Sequence, residues 1–103
     1  VTRPASKRRR ESALERRCVK WARERGIQVG KLSECVGLPD RIFFTPKAKG
    51  GPLIPEFKDP GGWGDPSPAQ EWHVAELKRK GYVSEFVDSW ETFLTIMKKR
   101  GVE

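Results

Sequence analysis

With 36% hydrophobic and 34% charged side chains, the 103 residues suffice for one compact domain with a modest core under a highly charged surface. No apolar run approaches the ~20 residues of a membrane span, and no secretory pattern opens the chain. Two cysteines, Cys18 and Cys35, exclude a disulfide framework and lack zinc-site spacing with the single His73, so a cytoplasmic, reducing location is expected.

The net charge is +7, and it is unevenly placed. Residues 1–10 hold five basic side chains (Arg3, Lys7, Arg8, Arg9, Arg10) and no acid, leaving 16 basic against 14 acidic in the rest. Residues 1–10 are therefore expected to form a flexible basic arm in front of a single domain over 11–103. Such an arm suits a polyanion, because each neutralised phosphate releases condensed counterions. A solvated tail that aids solubility is the plainer alternative.

From Glu11 to Arg25, the positions Leu14, Cys18, Val19, Trp21 and Ala22 recur at helical spacing, and Gly26 supplies a stop. Ile27 to Leu32 alternates apolar and polar side chains as a half-buried strand does. A connection ending in Gly37-Leu38-Pro39-Asp40 leads to Arg41–Thr45, whose Ile42, Phe43 and Phe44 predict a strand buried on both faces. Pro46 to Gly51 has the chemistry of a hairpin turn, and Leu53 to Lys58 is the returning strand. Pro55 cannot donate to a ladder, which implies an edge or a bulge there. After a glycine- and proline-rich loop from Asp59 to Pro66, Ser67-Pro68-Ala69-Gln70 opens a helix with a capping box and proline at the first helical position. That helix ends at Gly81. Tyr82 to Val87 forms another strand, and a last helix runs from about Ser89 to Arg100. The expected order is α-β-β-β-α-β-α.

Asp40 stands at the mouth of one strand, with Glu56 and Lys58 on the strand expected to pair with it. Side chains two apart on a strand share a face, so Glu56 and Lys58 point the same way. A carboxylate pair with a neighbouring lysine can hold a hard divalent cation, position water and offset the charge of a phosphoryl transition state. By itself, Pro-Asp, 15 residues, then Glu-x-Lys is weakly specific in a chain this charged. As ordinary strand-face and turn charges, the three residues need no chemistry.

Three segments in order narrow the choice: Gly37-Leu38-Pro39-Asp40-Arg41, then Glu56-Phe57-Lys58-Asp59-Pro60-Gly61-Gly62, then Ser67-Pro68-Ala69-Gln70. Together they resemble the VRR-NUC family, a branch of the PD-(D/E)XK nuclease superfamily. The resemblance runs from about Glu11 to about Ser89, with Lys31 before the first segment and Gly81-Tyr82 after the third. It implies an α/β fold with a restriction-endonuclease-like αβββαβ core, a mixed central sheet flanked by helices. It also implies a metal-dependent endonuclease that hydrolyses phosphodiester bonds in DNA.

The resemblance makes Asp40 and Glu56, with the backbone carbonyl of Phe57, the ligands of Mg²⁺ or Mn²⁺, and Lys58 the residue acting on the attacking water. Gln70 would face the same centre, unless it serves only the capping box. Glu15 would supply a carboxylate from the first helix, with Glu11 one turn earlier as its competitor and an ordinary ion pair as its simpler fate. Lys31, Arg41, Arg8, Arg9, Arg10 and Trp63 are candidates for DNA contact. Trp21, Trp72 and Trp90 are expected as core anchors, although Trp72 is also suited to base stacking, and His73 as a surface or interface residue. Stand-alone domains of the family resemble Holliday-junction resolvases, which implies branched DNA such as four-way junctions as substrate and a homodimer as the active species. Flap, nicked or linear DNA is the alternative substrate, and a catalytically silent DNA-binding module the alternative function. Pro55 departs from the family pattern and puts the local strand pairing in doubt.

Overall fold

The computed structural model describes residues 5–32, 37–60 and 65–103, and for 5–10 the backbone alone. Its elements are α1 (Ala5–Glu24), β1 (Val29–Lys31), β2 (Arg41–Phe43), a 3₁₀ turn (Lys47–Lys49), β3 (Glu56–Phe57), α2 (Pro68–Arg79), β4 (Phe86–Val87) and α3 (Trp90–Lys99). The helix–strand order is the expected one. The boundaries differ in two places that matter.

First, α1 begins at Ala5, six residues before the helix start expected at Glu11. Arginine and lysine are good helix formers, and a run of them extends an established helix readily. Second, β2 is shorter than expected and not buried on both faces. Phe43 is fully buried, but Phe44 is 49% exposed. The Thr45 amide bonds back to the Phe43 carbonyl at 2.8 Å, which curls the chain out of the ladder. The expected hairpin survives as a single antiparallel pair, in which Phe43 and Leu53 exchange both backbone bonds around the 3₁₀ turn.

β1 pairs antiparallel with β2, and β3 pairs parallel with β4. Leu53 joins the two ladders, bridging Phe43 on one side and Val83 on the other. The amides of Ile54, Glu56 and Lys58 all donate to β4 and the segment leading into it, to Val83, Glu85 and Val87, at 2.8 Å each. By alternation, the amide of residue 55 would face β2. Proline has none, so the ladder between β2 and β3 stops after one pair. Pro55 is thus neither at an edge nor at the surface; it is fully buried at an interrupted seam in the middle of the sheet.

One face of this sheet carries the main core. Leu14, Cys18, Val19 and Ala22 of α1 meet Phe43, Leu53, Phe57 and Val87 of the sheet and Phe93 and Met97 of α3. Trp21 packs edge-on against Phe93 and Trp90, with ring centroids 5.5 and 6.4 Å away, so two of the expected aromatic anchors are in place. Burying an aromatic such as Phe93 contributes about 1.5–3 kcal/mol. Cys18 belongs to this core, and burial pushes its thiol up to about 12, which makes it a packing residue. Cys35 lies outside the described residues. Val74 of α2 and Ile54 are buried apart from this cluster, which puts α2 on the other face. Glu56 and Lys58 share that face with Ile54.

Among the described residues, no helix is long and apolar enough to cross a membrane.

Candidate active site

Ser67 opens α2 as N-cap, its hydroxyl accepting from the Gln70 amide at 3.1 Å. The Gln70 carboxamide answers through Oε1, which accepts from the Ser67 amide at 2.9 Å. That completes the expected capping box and fixes the side chain of Gln70 over the sheet. The same Oε1 accepts from Lys58 Nζ at 2.9 Å, while Nε2 donates to Glu56 Oε1 at 2.7 Å. Capping and site contact are therefore simultaneous, not alternatives. Gln70 ties Glu56 and Lys58 together from the opposite element.

Glu56 is 6% exposed, and its pKa is raised to about 7. Burial is the largest cause; Asp40 raises it further, and Lys58 offsets part of the rise ahead of weaker contributions from Glu11 and Glu15. Asp40 is exposed as a residue, yet its carboxyl is also raised above the ordinary aspartate range. Partial desolvation leads, then Glu15, with Lys31 and Arg41 opposing. Asp40 and Glu56 thus each carry a raised pKa to which the α1 carboxylates Glu15 and Glu11 contribute. Buried like charges of this kind favour protons or a cation between them.

Glu15 raises the pKa of both Asp40 and Glu56, and its Oε2 accepts from Arg41 Nε at 2.5 Å in a largely sheltered ion pair. Glu11, its competitor, influences both Asp40 and Glu56. Among the described residues, no three His, Cys, Asp or Glu side chains converge as a ready-made metal cage. The pair that is close enough to interact electrostatically, Asp40 with Glu56, offers oxygen donors alone. Magnesium sites commonly use one or two carboxylates and fill the remaining positions with water and substrate phosphate, so these residues fit such an ion.

Gly37, from the first of the three segments, has a role that residue pattern alone did not reveal. Its φ is +81°, and a Cβ there would lie 2.6 Å from Ala69 Cβ and 2.8 Å from the Ala69 carbonyl carbon. The loop carrying Asp40 thus lies directly on the first turn of α2 that carries Gln70. Gly37→Ala combines a left-handed backbone with a steric overlap, and it is expected to cost more than about 1 kcal/mol in urea unfolding.

The remaining candidates are scattered. Lys31 is exposed and stands opposite Arg41 in the β1–β2 register, which places both side chains on one face. Arg8, Arg9 and Arg10 fall in the first turns of α1, and their side chains, like Trp63, lie outside the described residues. Trp72 is not a core anchor: it is 58% exposed, with the half-buried His73 edge-on against it at 5.0 Å. Two residues beyond Gln70 on a helix, it points away from the carboxylates. A cleft of about 790 Å³ between the 3₁₀ turn, β4 and α3 includes none of the site residues.

No family model matches the sequence, and no curated protein matches it. Solved structures do. One described as "VRR_NUC domain" superposes with a TM-score of 0.73 at 22% identity, covering 86% of this chain and 95% of that one. Another, "VRR_NUC domain protein", gives 0.72 at 15% identity over 88% of this chain and 87% of that one. What is shared at this identity is the architecture, and it is shared nearly end to end: this chain has the fold of the VRR_NUC domain.

Proposed function

We propose that the chain is a metal-dependent endodeoxyribonuclease that hydrolyses phosphodiester bonds in branched DNA such as four-way junctions. The observation that carries this reading is the network in which Gln70 joins Glu56 to Lys58 beside Asp40, on the scaffold of a VRR_NUC domain. Asp40, Glu56 and the Phe57 carbonyl would hold Mg²⁺ or Mn²⁺, which supplies a polarised water and neutralises phosphate charge when bound. Lys58, half-buried and held by Gln70, is fixed next to Glu56, where an ammonium can orient the attacking water and stabilise the developing charge. Gln70 limits the freedom of both groups, and Glu15 is the carboxylate available to complete the ligand set.

Branched DNA is the preferred substrate because a junction presents two scissile phosphates related by a two-fold axis, which a homodimer of so small a domain can engage symmetrically. The test is gel electrophoresis of a synthetic four-way junction, a flap and a linear duplex, each with EDTA, Mg²⁺ or Mn²⁺. Paired, symmetric cuts in the junction, dependent on metal, are expected. Equal cutting of all three substrates would retain the nuclease and remove the junction preference. Binding without cutting under any metal would leave a DNA-binding module.

A further inference from the structure

We propose that the exposed basic face of α1 is a phosphate track, along which Arg16, Lys20 and Arg23 hold the backbone of a DNA strand leading to the carboxylates. The identity of the polyanion rests on the nuclease reading above; the track itself rests on charge placement. Spacings of four and three residues put the three side chains on one helical face. All three are exposed, and together with Val19, Glu24 and Arg41 they line one cleft of about 470 Å³. From residue 16 to residue 23 the helix rises ~10 Å. That matches roughly three nucleotide steps of one strand at about 3.4 Å of rise each.

Two features separate this face from an ordinary solvated helix. The first is pairing. On α2 the exposed cations are neutralised within the protein: Arg79 and Lys80 lie against Glu76, and Lys78 against Glu85. Among the described residues Arg16, Lys20 and Arg23 join no ion pair, and Glu24 is the one acid lining their cleft; the fourth cation there, Arg41, is paired with Glu15. The second is continuity. Arg41 lines the same cleft, bonds Glu15, stands opposite Lys31, and acts on Asp40 together with that lysine. Basic side chains therefore continue from the α1 face through Arg41, which Glu15 pairs, to the exposed Lys31 at the edge of the carboxylate site. A phosphate backbone entering along them would arrive where Asp40 and Glu56 stand.

Fluorescence anisotropy with a labelled four-way junction and a labelled duplex, in EDTA over a series of KCl concentrations, tests the track without any cutting. Combining Arg16→Gln, Lys20→Gln and Arg23→Gln should make the slope of log K against log salt shallower by about 2–3, at roughly 0.9 per lost phosphate contact. Affinity near 150 mM salt should fall on the order of 10- to 100-fold. Glutamine keeps helix propensity, so the melting temperature should be held. Lys78→Gln with Lys80→Gln, removing the same kind of charge from α2, should leave the slope unchanged.

A triple variant with the wild-type slope overturns the track, as does a wild-type chain that binds no DNA. The nuclease reading is judged separately by cleavage. Track-dependent binding without metal-dependent cutting keeps the track and removes the nuclease; cutting with an unaltered slope does the reverse.

Discussion

Lys58→Ala should lower the rate of DNA cleavage by on the order of 10²–10⁴, the range expected when one positioned proton-transfer or charge-stabilising group is removed. The fold should persist. Lys58 is half-buried, and its Nζ contributes one bond to Gln70 Oε1, which retains its bond from the Ser67 amide in the variant. Gln70 Nε2 also keeps its hold on Glu56. The proposed metal ligands are untouched, but one electrostatic change follows. Lys58 holds the pKa of Glu56 down, so its loss lets that pKa rise further above about 7. Calorimetry with Mn²⁺ should show binding weakened more at pH 6.5 than at pH 8.5, because a higher Glu56 pKa keeps more of that carboxyl protonated in mild acid. Activity should not return at pH 8.5, because lysine does more than tune its neighbour. Wild-type cutting by a Lys58→Ala preparation free of contaminating nuclease would remove Lys58 from the mechanism.

The parts legible in the sequence were those governed by local chemistry. Ser67, Pro68 and Gln70 specify the opening of α2 through a capping box, and the structure forms both of its bonds. The alternation of Glu56 and Lys58 placed them on one face, and Gln70 meets both there. What was not legible depended on partners distant in sequence. Arg41 and Glu15 are 26 residues apart, and nothing local pairs them. Gly37 reads as a turn glycine until Ala69 is packed against it. Pro55 signals a missing donor, but only the order of the strands shows that the missing bond lies between β2 and β3. Trp72 sits at helical spacing like Trp21 and Trp90, yet Val74 is the residue of α2 that reaches full burial. Periodicity identifies a stripe; the neighbours decide which stripe is covered.

The metal-free protein should lose stability as the pH rises from about 4.5 to about 7, and Glu56→Gln should abolish most of that loss. Glu56 has an ordinary pKa of 4.5 when the chain is unfolded and about 7 when folded, chiefly through burial and the neighbouring Asp40. Between those values the folded chain holds a proton that the unfolded chain releases, so unfolding gains with each increment of pH. Below 4.5 both states are protonated and the penalty is absent; above about 7 both are ionised and the penalty is complete. A shift of this size corresponds to about 3 kcal/mol. The raised pKa of Asp40 acts in the same direction, so this site favours the folded state most strongly in mild acid.

Glutamine at 56 carries no charge to desolvate, and its carbonyl can accept the Gln70 Nε2 bond. The variant should therefore be more stable than wild type by about 3 kcal/mol at pH 8 in EDTA, and nearly equal to it at pH 4.5. Urea titrations at the two pH values measure this directly. Adding Mn²⁺ at pH 8 should reverse the order, since an ion stabilises only the protein whose carboxylate can bind it. Cleavage by Glu56→Gln should be lost under all conditions. Stability that tracks pH identically in the two proteins would mean that Glu56 is ionised at no unusual cost. Its burial would then not be the tension that a metal ion relieves.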